Sequence, residues 1–237
     1  MQKKKLILIV VSVLLVLALG FGCVYLFAFY LPQKSEREER ERLVREYYEN
    51  KFVIYEAENQ KYADYEVDVA FLGDSLTDGY DLEKYYPEYL TANRGIGGET
   101  THGLEDRMQL SLYDLKPKVA VMLIGGNNLD TMLDNYESIL IGIKENLPQT
   151  KVVLVSLTAM GGDYARKNTL AAYNNVTVKK LAEKYGFFFV DIFTPLFDET
   201  TGEIYTQYTS DSVHLTAKGY EVFTSAVKPV LCELLGQ

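Results

Sequence analysis

Four apolar runs, at residues 67–72, 119–124, 152–157 and 187–192, recur along this chain with helical patterns between them. Each run is apolar at nearly every position, rich in β-branched or aromatic residues, and too short for a globular helix. That pattern predicts strands buried on both faces. Such strands need cover above and below the sheet. Helical patterns at about 104–112, 129–146 and 164–185 supply it, with a last one at 217–235 behind Thr216 as N-cap. A weaker strand is expected around 89–93. The economical reading is one α/β domain, a parallel sheet between two helical layers, covering roughly residues 52–237, with no internal repeat.

The N-terminal part reads differently. Lys3, Lys4 and Lys5 precede an almost uninterrupted apolar stretch at 6–31. As a helix it would reach about 39 Å at 1.5 Å per residue, enough to cross a bilayer with some tilt. The lysines put residues 1–5 in the cytoplasm as a short stub and everything beyond the span outside. A cleaved signal peptide is the alternative, and Gly20-Phe21-Gly22-Cys23 hints at a lipoprotein cysteine. The apolar residues continuing past Cys23 suit an uncleaved anchor better. Residues 32–51 then read as a charged helical spacer with acid–base pairs such as Glu38–Arg42 and Glu41–Arg45. Leu43, Val44, Tyr47 and Tyr48 give it one apolar side, and residues 52–65 extend it as a second helical segment.

Charge and cysteine content exclude several classes. The formal charge is −9, and the first 31 residues contribute +3, so the remainder carries −12. An acidic exterior argues against a nucleic-acid partner. Cys23 and Cys232 are unlikely partners across that separation, so the domain must fold without a disulfide, and no obligate protein partner is evident. Two histidines and no cysteine–histidine cluster suggest no structural metal, and no cofactor is called for.

Polar and glycine residues follow each strand, where open α/β sheets place their ligands. After the first comes Gly73-Asp74-Ser75-Leu76-Thr77, after the weak second Arg94-Gly95-Ile96-Gly97-Gly98-Glu99-Thr100, and after the third Gly125-Gly126-Asn127-Asn128. Ser75 is a candidate nucleophile, or else a helix cap. A nucleophilic serine needs a base, and His214 is the candidate, with Asp211 three residues earlier able to curl back and orient it. The alternative is an Asp and a His on a polar surface loop before a capped helix. Acyl transfer also needs donors for the developing oxyanion, and the Ser75 N–H, the Gly98 N–H and the Asn127 amide are candidates. Gly97-Gly98 as an ordinary turn and Asn127 as a cap are the competing readings.

The four blocks Gly-Asp-Ser-Leu, Asn-Arg-Gly-Ile-x-Gly-x-Thr, Gly-Gly-Asn and Asp-x-x-His, in that order, resemble those of the SGNH hydrolases, also called GDSL esterases/lipases. The resemblance runs over most of the chain from Val67 to Thr216. It implies a flavodoxin-like three-layer α/β/α fold with about five parallel strands. It also implies Ser75 as nucleophile, Gly98 and Asn127 as oxyanion donors beside the Ser75 N–H, Asp211 as orienting acid and His214 as base. Glu99 and Asn128 stand where the family pattern frequently has aspartate, at positions with none of those roles.

The expected activity is carboxylic ester hydrolysis by a membrane-anchored bacterial member of that family. An O-acetyl group on cell-wall or extracellular polysaccharide is the leading substrate expectation, with Tyr80, Tyr85, Tyr86 and Tyr89 either stacking on sugar rings or filling helix–sheet contacts. A lysophospholipase or thioesterase is the alternative and predicts a long apolar groove near Ser75. An O-acyltransferase would differ in its acceptor. An anchored carbohydrate-binding or scaffold domain is the non-enzymatic reading.

Overall fold

The computed structural model describes residues 2–236, side chains at 4, 6, 13 and 16 apart. Met1 of the expected cytoplasmic stub and Gln237 of the expected domain lie outside the described residues. The chain divides into two units, Met1–Lys51 and Phe52–Gln237. Helix α1 (Gln2–Tyr25) passes through a π-helical turn (Leu26–Tyr30) into α2 (Leu31–Lys61), whose residues up to Lys51 belong to the first unit. From Ile7 onward this helical run is long and apolar enough to cross a membrane, by length and composition. The ion pairs on α2 use other partners than expected: Lys34–Glu38 at 3.6 Å and Arg37–Glu41 at 3.8 Å, while Arg42 reaches Glu39 and Glu46. Glu38 and Glu41 each have a base four residues away on both sides, so rotamers select between equivalent pairs. Residues 52–61 continue α2 instead of starting a second segment, because neither glycine nor proline interrupts them.

In the second unit, β1 (Val69–Gly73), β2 (Thr91–Gly95), β3 (Val119–Leu123), β4 (Lys151–Val155) and β5 (Phe188–Val190) form one parallel sheet in the order β2-β1-β3-β4-β5. After β1 come two short helices, α3 (Ser75–Asp78) and α4 (Leu82–Tyr85), and after β2 comes α5 (Thr101–Asp106). The longer helices are α6 (Leu133–Asn146), α7 (Asn168–Tyr185) and, beyond the short α8 (Phe193–Leu196), α9 (Ala217–Leu235). A small antiparallel hairpin, β6 (Phe197–Asp198) with β7 (Glu203–Ile204), was not foreseen from the sequence.

Successive strand residues point to opposite faces, which explains the continuous apolar runs. Ala70, Leu72, Ala120, Met122, Val152 and Leu154 bury against Leu104, Ile139, Ile143 and Val178 on one side. Val69, Phe71, Val119, Val121 and Val153 meet Tyr86, Phe223, Val227 and Leu231 on the other. Burial of each Val, Leu, Ile, Met or Phe among them contributes about 1.5–3 kcal/mol.

This packing decides between the two readings of the tyrosines and corrects one expected helix. Tyr80, Tyr86 and Tyr89 are buried in the second of these layers, so their faces are not offered to sugar rings. Tyr80 stacks on Tyr220 at 4.7 Å and its hydroxyl meets those of Tyr86 and Thr224. Tyr85, partly exposed, donates to the Ala217 carbonyl at 3.1 Å. The helix expected at 104–112 is also broken: α5 ends at Asp106, Arg107 turns into the interior, and a π-helical turn (Gln109–Tyr113) follows.

The start of the second unit is tied to β2 by a buried arginine. Arg94 lies under the Tyr55 ring at 4.6 Å, pairs with Glu58, and donates to Asn59 Oδ1 at 3.1 Å.

Candidate active site

Strand β1 has β2 on one side and β3 on the other, so the connections leaving β1 and β2 run in opposite senses and open a crevice at the carboxyl edge. Ser75 stands just beyond β1 and Asn127 just beyond β3, on either side of that crevice. A Cβ on Gly73 would collide with Thr77 Oγ1 and the Leu123 carbonyl, so only glycine lets β1 turn this closely into α3.

The cap of α3 is Asp74, not Ser75. Asp74 Oδ1 accepts from the Leu76 N–H at 3.0 Å, and its carbonyl accepts from Thr77 and Asp78. Ser75 is thereby released from the capping role, and its own N–H has no acceptor among the described hydrogen bonds.

Burial pushes the Asp74 carboxyl up from 3.8 to about 6, with the Leu76 N–H opposing the shift. A carboxyl raised on folding contributes stability that is fully present below pH 3.8 and is lost as pH rises through about 6. The difference corresponds to about 3 kcal/mol. Asp74→Asn keeps the cap and removes the titration. The native domain is therefore expected to lose melting temperature between pH 4 and 7, and the variant to lack most of that decline. Parallel pH–melting curves for the two proteins would refute this.

His214 and Asp211 approach from the loop before α9. His214 Nε2 lies 3.0 Å from Ser75 Oγ, across 139 positions of sequence. Its Nδ1 lies 2.6 Å from Asp211 Oδ2. Asp211 Oδ1 accepts from the backbone N–H of Val213 at 3.1 Å and of His214 at 2.8 Å. Ser212 between them adopts φ 78°, the left-handed turn that brings the carboxylate back over the ring. Its carbonyl is held by the Gly161 N–H at 2.8 Å. The hydrogen bond to His214 is the first cause that lowers the Asp211 carboxyl to about 2. His102, the other histidine, is exposed on α5.

On the facing side Asn127 Nδ2 donates to the Glu99 carbonyl at 2.9 Å. An amide NH₂ has two donors, so one remains for another acceptor. Gly98 sits at the exposed tip of the preceding turn with φ 80°, and its N–H has no acceptor among the described hydrogen bonds. Ser75, Asn127, Asp211 and His214 share one pocket lining; Gly98 is outside it.

Sequence reasoning missed what holds these loops in register. The buried Arg107 donates to Glu99 Oε2 at 2.7 Å, to the Arg94 carbonyl at 3.0 Å, to the Gly73 carbonyl at 3.2 Å and to Ser111 Oγ at 2.8 Å. It therefore joins the end of β1, the end of β2 and the glycine turn. Asn128 adds a tie to Thr101, accepting from its N–H and donating to its hydroxyl. Both residues that depart from the family pattern, Glu99 and Asn128, thus work as loop ties. The available signal was an arginine inside an apolar helical pattern, where a buried charge requires a partner.

Two cavities meet at Ser75. One, of about 50 Å³, is lined by Leu76, Leu123, Leu157, Met160 and Val213 with Asp74 and Thr158. The other, about 270 Å³, opens past Asn127, Asp211 and His214. Among the described residues no three His, Cys, Asp or Glu side chains converge as a metal site requires.

A parallel α/β/α sandwich with a serine, histidine and aspartate joined by hydrogen bonds at its carboxyl edge defines a serine hydrolase of the SGNH class. The chain belongs to the GDSL-like Lipase/Acylhydrolase family, whose model matches residues 71–222. Enzymes of this family act on esters, which removes the scaffold reading. Curated relatives include the platelet-activating factor acetylhydrolase IB subunit alpha2 of Rattus norvegicus, 28% identical over 184 residues, 73% of this chain and 79% of the relative. A GDSL-like lipase from Bacteroides thetaiotaomicron superimposes with TM-score 0.67 at 23% identity, over 77% of this chain and 97% of that one. An acetyl xylan esterase from Geobacillus stearothermophilus gives TM-score 0.57 at 23% identity, over 71% and 95%. At these identities the structural likenesses bear on the fold.

Proposed function

We propose that the domain hydrolyses short-acyl carboxylic esters through a Ser75 acyl-enzyme. The observation that carries this is the unbroken chain Ser75 Oγ–His214–Asp211, at 3.0 and 2.6 Å. His214 Nε2 takes the serine proton as Oγ attacks the acyl carbon, and Asp211 holds the other ring nitrogen and the imidazolium charge. The Ser75 N–H, the Gly98 N–H and the free Asn127 N–H receive the oxyanion. The alcohol leaves with the proton from His214. Water, deprotonated by the same ring, then releases the acid. No metal or cofactor enters the scheme.

The cavity sizes support a short acyl group. At roughly 10–15 Å³ per water-sized group, the 50 Å³ cavity admits about three to five heavy atoms, the size of a short acyl group. For the alcohol, the support leans from carbohydrate toward a lipid alcohol, the lysophospholipase side of the alternative. The family description is lipase and acylhydrolase, and the curated relatives are named for platelet-activating factor. The buried tyrosines withdraw the stacking surface that favoured sugars. Transfer to an alcohol acceptor would use the same acyl-enzyme, and product analysis with and without acceptor separates the two.

In this reading residues 6–31 anchor the chain with its N-terminus inside, residues 32–51 act as spacer and residues 52–237 work outside the membrane; a cleaved signal peptide is the alternative for the same apolar helix. Protease protection of the N-terminus in intact cells decides between them.

A p-nitrophenyl ester series tests the acyl side. kcat/KM is expected to peak at acetyl to butyryl and to fall roughly tenfold by hexanoyl, since a misfit methylene costs about 1–3 kcal/mol. Turnover rising steadily with chain length would overturn the short-acyl reading.

A further inference from the structure

Resting on the esterase reading, we infer that Lys167 at the mouth of the wider cavity selects esters whose alcohol portion carries an anion, a phosphate or a carboxylate. Lys167 lines that cavity together with Ser75, Asn127 and His214. It ends a 3₁₀ segment (Gly162–Lys167) that is fixed at both ends. The Gly161 N–H donates to the Ser212 carbonyl at 2.8 Å, and the Gly162 N–H to Glu203 Oε2 at 2.9 Å. The buried Asn168 closes a pair of 2.8 Å hydrogen bonds with the Met160 backbone. The lysine stem is therefore carried by the same framework that carries the Asp211–His214 loop.

The Lys167 ammonium lies 5.7 Å from the centre of the Tyr164 ring, and no carboxylate is within ion-pair distance of it among the described residues. Lys116, Lys118, Lys184 and Lys228 each hold a carboxylate at 2.6–2.7 Å. The acid nearest in the lining, Asp211, already accepts three hydrogen bonds from His214 and Val213. A half-buried cation with no acidic partner, facing the space where the alcohol must sit, favours a negative group there. The domain's net charge works against anions. Any anion preference must therefore be local, which makes it attributable to one residue.

The test uses matched acetyl esters on the full chain: 1-acetylglycerol 3-phosphate against 1-acetylglycerol, and 3-acetoxybenzoate against its methyl ester. The quantity read is the ratio of kcat/KM, anionic over neutral, from acetate release. The native chain is expected to favour at least one anionic member by roughly fivefold to tenfold, mostly through KM. The pair that shows the preference identifies phosphate or carboxylate. Lys167→Ala should bring the ratio to about one, Lys167→Glu below one, and Lys167→Arg should retain it. A ratio near one in the native chain, or a preference that survives Lys167→Ala, overturns the inference while leaving the esterase reading standing. No Ser75-dependent acetate release from any of the four esters overturns both.

Discussion

Ser75→Ala is expected to lower kcat for p-nitrophenyl acetate by roughly 10⁶-fold, the scale found when a catalytic triad loses its nucleophile. The size follows from what remains. Without Oγ there is no acyl-enzyme, and His214 has no hydroxyl to deprotonate. The oxyanion donors stay in place and sustain only a residual acceleration. Stability should move by no more than about 0.5 kcal/mol, because the α3 cap belongs to Asp74 and Ser75 Oγ bonds only the His214 ring. Asn127→Ala should fall between, at roughly 10²–10³ in kcat, as for the loss of one oxyanion donor. Steady-state rates with melting temperatures on the same preparations check both. Retention of more than a tenth of native turnover by Ser75→Ala, free of contaminating esterase, would end the nucleophile assignment.

Arg107→Ala is expected to cost most in stability. Its guanidinium serves Glu99, Ser111 and the carbonyls of Arg94 and Gly73 in a site that is almost fully buried. Removing it leaves the Glu99 carboxylate buried without its cation, a change of about 3–5 kcal/mol. For a domain of this size that is a fall in melting temperature of roughly 10 °C. Activity should drop as well, chiefly in kcat, because Glu99 carries the carbonyl that orients Asn127 and follows Gly98 in the turn. Arg107→Lys should not rescue, since one ammonium cannot meet four acceptors spread across a guanidinium's planar fork. Thermal melts with the kcat and KM of both variants are the measurements. A variant that melts like the native protein, or a lysine that restores kcat, would show that the loops hold their register without this side chain.

How much was legible follows from the range over which each feature is determined. The apolar runs located all five strands within two or three residues, because burial on both faces leaves a continuous signature. The weaker run placed β2 two residues early, since Tyr89 belongs to the core beneath the strand's approach and not to the strand itself. The broken helix at Arg107 was not legible, because propensity favours helix through that stretch and only Glu99, Gly73 and Arg94 pull the arginine inward. The β6–β7 hairpin has two-residue strands and no pattern to read.

By itself the sequence determined the kind of element at each position, the order of the four polar blocks and the carboxyl edge on which they had to lie. Those are consequences of local periodicity and of strands running parallel. Only the tertiary structure decided that Asp74 caps α3 and frees Ser75, and that Ser212 turns Asp211 onto His214. It also decided that Tyr80, Tyr86 and Tyr89 fill the core instead of facing substrate, and that a cavity of about 50 Å³ lies beside the serine. The physical reason is the same throughout. Apolar patterning says which face of an element is buried, whereas hydrogen bonds between loops distant in sequence depend on strand order and close packing that no single stretch of residues encodes.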